Sequence, residues 1–239
     1  MSGTRPRILP SKQYILAEDC DPLDLLYSLF NVATTTLEPA TDIPTTLDMR
    51  VKQDAHIPSH VLVVFDIPES EWGSTYQPLL VPIRVDLFTR GFTSKIIPPS
   101  PPGSTFPVPY STEHTEGQFV TLPVVPLLVP HAPSIPLLFL FGLGLETRSQ
   151  LLCCHLLPAE VIEEFPAPPT MANIMATLCN DDQIREHSKF NQGLWKNILS
   201  LGPRDQHFIE LAQTAWNVTA EARRIRRRNT ASHFVSVPN

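Results

Sequence analysis

Apolar residues recur along this chain at two periods, and the change from one to the other divides it. Near the start, Leu25, Leu26, Leu29 and Phe30 form one face at helical spacing, behind Asp21-Pro22-Leu23-Asp24. Asp21 can accept from the free amides of a first turn, proline suits that turn, and Asp24 complements its positive end, so a helix is predicted to begin there. The period then shortens to two. A brief strand is predicted near residues 47–51, a second over 60–68 (HVLVVFDIP), and a third over 78–89 (PLLVPIRVDLFT), where Val81, Ile83, Val85 and Leu87 alternate. Between Lys95 and Tyr110, KIIPPSPPGSTFPVPY cannot form regular structure, because its prolines remove donors and hold their neighbours extended.

From Gly117 to Leu145 there is no Asp, Glu, Lys or Arg. A membrane helix needs about 20 continuous apolar residues, and Pro123, Pro126, Pro130, Pro133 and Pro136 divide the run before it reaches that length. The piece from Leu137 to Leu145 is therefore expected to be a buried strand or a core helix, and no membrane partner is expected. From Ser149 on the helical period takes over. Short helices are predicted in SQLLCCHLLPAEVIEEFP and in TMANIMATLC, the latter capped by Thr170. A longer one, capped by Asp181 or Asp182, carries Ile184, Asn191, Leu194, Ile198 and Leu201 and stops at Gly202-Pro203. In the last helix Phe208, Leu211, Ala215, Val218, Ala222 and Ile225 make a narrow apolar seam, expected to pack on the helix containing Trp195 and Ile198.

One helix, several strands and then helices only predict an α+β (or α/β) fold, a small mixed sheet core followed by a C-terminal helical subdomain. The expected division is a flexible tail over 1–12, the mixed core over 13–166 with a Pro-rich loop at 95–117, the helical part over 167–228, and a second flexible tail over 229–239.

Composition changes this picture in few places. The 26 prolines and 9 glycines of 239 residues fall below the share that marks low-complexity disorder. Cys20, Cys153, Cys154 and Cys179 form no C-x-x-C pair, which fits buried thiols better than a disulfide framework or a zinc knuckle. The opening MSGTRPRILPSKQY has no apolar core of a secretory signal, so an intracellular place is expected, cytoplasm or nucleus.

Charge is the strongest asymmetry. Arg223, Arg224, Arg226, Arg227 and Arg228 fall within six positions, and removing those five charges from the net −6 leaves −11 for the rest. Such a run can contact phosphates, serve nuclear import or hold a polyanion or a protein partner. The competing reading is a solvated helix end whose arginines complement the macrodipole. His56 and His60 are separated by a proline, and Cys153-Cys154-His155 would need distant partners, so no metal site is expected. No G-x-S-x-G, P-loop or G-x-G-x-x-G occurs.

One set of acids remains. Asp48 lies in TTLDMRV and Asp86 in IRVDLFT, both predicted strands. Two carboxylates on neighbouring strands can hold a divalent ion against a triphosphate. With the helix ending at Phe30 before them, these segments resemble the nucleotidyltransferase fold, in particular its AbiEii-like group, over about residues 14–145. The resemblance implies that Thr46 and Asp48 stand for the family's threonine and first acid and Asp86 for its third, with Mg²⁺ needed only by an active member. Asn31-Val32-Ala33 replaces the family's glycine turn, and Arg50 replaces its second acid. The expectation is thus a catalytically degenerate domain that works in binding. The alternatives are an interaction protein using its Arg-rich C-terminal helix, and an active metal-dependent transferase.

Overall fold

The computed structural model describes residues 20–37, 42–53, 56–68, 71, 76–98, 106–112 and 115–235. The tail over 1–12 and the centre of the Pro-rich loop lie outside them.

Helix α1 (Pro22–Leu29) starts as its sequence predicts, with the Asp21 carboxylate accepting from Leu23 N at 2.7 Å. Five strands follow: β1 (Thr46–Val51), β2 (His60–Phe65), β3 (Leu79–Ile83), β4 (Tyr110–Thr112) and β5 (Thr115–Leu128). They form one mixed sheet in the order β1-β5-β2-β3, with β4 also paired to β5. Among the described strands, β2 and β5 run parallel and the other pairs antiparallel. The α+β class is therefore the observed one, with eight α-helices among the described residues set around and after the sheet.

The long strand β5 changes partners along its length. Residues 118–123 pair with β1, and residues 124–128 pair with β2. This change is what lets a sheet tolerate prolines. Val124 N donates to Thr45 O on the β1 side at 3.0 Å. Successive amides alternate sides, so the nitrogen of Pro126 faces away from β2, past the end of β1, and that of Pro123 faces the gap between β4 and β2. Pro82 is accommodated differently, on strand β3, which lies at the edge of the described sheet and pairs with β2.

The third predicted strand is half right. Its chain leaves the sheet at Ile83 and forms helix α2 (Val85–Gly91). Ser59 Oγ accepts from Val85 N at 2.9 Å and satisfies one amide of the new helix. Phe88 and Phe92, one turn apart, stack at 4.8 Å and meet the edge of Phe139. Spacings of three and four put Val85, Phe88 and Phe92 on one helical face as readily as alternation puts Val85 and Leu87 on a strand. Burial of the aromatic pair decides for the helix.

Phe139 belongs to α3 (Ile135–Gly142), all of whose residues are buried. The charge-free run is thus resolved into the end of a strand and a core helix touching α1 and α7. No helix among the described residues is long and apolar enough to cross a membrane. The remaining helices are α4 (Ser149–Leu156), α5 (Ala159–Ile162), α6 (Pro168–Leu178), α7 (Asp181–Leu201) and α8 (Gln206–Val235). Two predicted caps shift. Helix α6 begins with its prolines rather than at Thr170, and α7 is capped by Asn180, which shares a capping box with Gln183 and leaves Asp181 and Asp182 in the first turn. Gly202 ends α7 at φ 62, a left-handed position that suits glycine. One apolar cluster runs from α1 through the sheet to α8.

Candidate functional site

Helix α8 begins behind Asp205, whose carboxylate accepts from Phe208 N at 3.1 Å. Its seam residues Phe208, Leu211, Ala215, Val218 and Ala222 are buried, and α8 packs on α7 and α6. The seam ends at a clasp. Arg226 Nε donates to Asp181 Oδ1 at 3.0 Å, and its Nη1 donates to Ala176 O at 3.3 Å. One guanidinium thus joins α8 to the first residue of α7 and to the last turn of α6, where a cation also complements the helix dipole. Of the five arginines, Arg226 is half-buried and structural. Arg223, Arg224, Arg227 and Arg228 are exposed, with Arg224 pairing Glu221 at 2.7 Å one turn back. The helix continues past the clasp to Val235, beyond the end at Arg228 expected from sequence.

The two acids are placed apart. Asp48 is exposed on β1, opposite Thr121 of β5, whose hydroxyl donates to it. Asp86 is in the first turn of α2, not on a strand. Arg84 donates to both of its carboxylate oxygens, at 3.1 and 2.9 Å, and Arg90 lies 3.7 Å away. Strand β3, which leads to Asp86, and strand β1 lie at opposite ends of the order β1-β5-β2-β3, not side by side. Arg50 is exposed on β1, its guanidinium beside Gly117. Thr46, first residue of β1, is exposed as well. No group of three or more His, Cys, Asp or Glu side chains that could hold a metal occurs among the described residues.

A third group of residues is not singled out by sequence. The parallel strands β2 and β5 end together, and Asp66 and His131 follow them. The Asp66 carboxylate accepts from Ala132 N and from the Tyr76 hydroxyl, both at 3.3 Å. Asn197 of α7 donates to His131 O at 2.7 Å and to Ser134 Oγ at 2.9 Å, and Ser134 Oγ lies 3.1 Å from His131 Nδ1. The imidazole lies against Gly193 of α7, where an added methyl would overlap the ring, and it meets Phe190 edge to face at 5.8 Å. Burial pushes the His131 pKa down, Lys189 and Lys196 push the same way, and Asp66 opposes them. The only local signal is the close His131, Ser134 spacing in PHAPS; Asn197, 66 residues further on, completes the arrangement.

Comparison of the chain with family models, curated proteins and solved structures gives no match.

Proposed function

We propose that the protein is a binding module that holds a polyanion of nucleic-acid type on the arginine rim of α8, without nucleotidyl transfer. The observation that carries this reading is the Arg226 clasp. It fixes the end of the seam, so that Arg223, Arg224, Arg227 and Arg228 are presented from a rigid, packed helix rather than a loose tail. The residues other than these five arginines sum to a net charge of −11, so long-range attraction for an extended polyanion is centred on this rim. Against transfer stand the separation of β1 from β3 and the engagement of both Asp86 oxygens by Arg84.

Fluorescence anisotropy with a labelled duplex over a range of salt tests the proposal. Four arginine–phosphate contacts give a slope of log K against log salt of about −3.6. Replacing Arg223, Arg224, Arg227 and Arg228 together by Gln should abolish binding with little change in melting temperature, since exposed substitutions usually cost less than about 0.5 kcal/mol. Arg226→Gln should instead destabilise the fold by about 1 kcal/mol through its lost hydrogen bonds and weaken binding less. Undiminished binding by the fourfold variant would remove the proposal.

A further inference from the structure

Lys189, Gly193 and Lys196 share one face of α7, at spacings of four and three residues. Gly193 is the floor against which the His131 ring lies, so the two exposed lysines flank the imidazole one turn to either side. Neither lysine has an ion pair or hydrogen bond among the described residues, and none reaches His131 Nε2. The hydrogen bonds around Ser134 also set the state of the ring. Its hydroxyl accepts from Asn197 Nδ2 and donates to His131 O at 3.2 Å. The assignment that satisfies every contact then has His131 Nδ1–H donating to Ser134 Oγ. In the neutral ring Nε2 is consequently a lone pair, and it becomes a donor only when the imidazole takes up a proton.

We infer that this face is an oxyanion site, for a phosphate monoester or a comparable tetrahedral dianion, held between Lys189 and Lys196 with protonated His131 Nε2 as the central donor. A tetrahedral dianion has enough acceptors for three donors arriving from different directions, whereas a carboxylate has two oxygens in one plane. The groups facing the ring are Lys189 and Lys196 from α7 and Asp66 from the end of β2, with Tyr76 bound to Asp66. Among the described residues that act on the ring, Asp66 is the charge that opposes an anion. Both its oxygens are already engaged, by Ala132 N and by Tyr76. In the free protein burial pushes the His131 pKa down, and Lys189 and Lys196 add to this against the pull of Asp66, so the neutral ring is favoured. Binding an anion reverses that balance, because the anion favours the imidazolium. By linkage, one proton is taken up per anion bound, and affinity falls about tenfold per pH unit above the pKa of free His131.

Sulfate is the suitable probe, because its own charge is constant over the range. In NMR titrations of the full chain, with the His131 ring resonance assigned by its loss in His131→Asn, sulfate should raise the apparent pKa of His131 by about one unit or more. Acetate at equal ionic strength should raise it much less, and chloride should not move it. Lys189→Gln combined with Lys196→Gln, both at exposed positions, should remove most of the sulfate effect while leaving the fold intact. An equal sulfate effect in that double variant, an equal effect of acetate, or no effect in the wild type would each overturn the inference.

Discussion

Tyr27 shows how much one side chain in this fold depends on distant backbone. Its ring is fully buried, and its hydroxyl donates to Leu80 O on β3 at 2.8 Å, 53 residues away. The carbonyl is on an edge strand, so the phenol supplies the donor that a further strand would have supplied. Burial pushes the Tyr27 pKa up from 10.0 to about 12. The unfolded chain releases this proton near pH 10 and the folded chain does not, so the folded state binds more protons over that interval. Stability is full below pH 10 and is lost as pH rises toward 12. Urea titrations should show this loss in the wild type and a flatter alkaline limb in Tyr27→Phe. At pH 7 the variant should be less stable by about 1 kcal/mol, because the Leu80 carbonyl loses its partner.

At the scale of elements, the segment after β3 carries the main lesson. PLLVPIRVDLFTRG satisfies both an alternating and a helical pattern, and no local feature separates the two. What separates them is where Phe88 and Phe92 find a partner, and Phe139 of α3 is 51 and 47 positions away from them in sequence but adjacent in the fold. Helices α2 and α3 approach so closely that a methyl on Gly91 would overlap Gly142 O. That atom is backbone and cannot swing aside. Gly91→Ala should therefore cost about 1–3 kcal/mol as the helices are forced apart, measurable as a lowered urea midpoint. By contrast Gly144→Ala has open space around the new methyl and meets only the strain of φ 69.

At the scale of the whole molecule, the sheet order decides what the acids can do. A metal bridging a triphosphate needs carboxylates within a few ångströms of one point. With β5 and β2 between β1 and β3, roughly 14 Å of sheet separates the two edges at the usual strand spacing. Incubation with labelled triphosphates and Mg²⁺ or Mn²⁺ should accordingly give no labelled product, in the wild type or in Asp86→Asn. Metal-dependent labelling lost in that variant would restore Asp86 as a catalytic ligand. Sequence alone determined the features whose cause is local. The Asp21-Pro22 helix start, the stop at Gly202, the strands at 46–51 and 60–65, the seam of α8 and the interruption of the charge-free run all follow from periodicity, capping and proline geometry. Tertiary structure decided the rest: the turn of Asp86 into a helix, the capture of Arg226 by two other helices, and the meeting of His131 with Lys189, Gly193 and Lys196. Each depends on contacts between segments far apart in the chain, and a hydrogen bond or a packed ring between such segments leaves no periodic trace in either one.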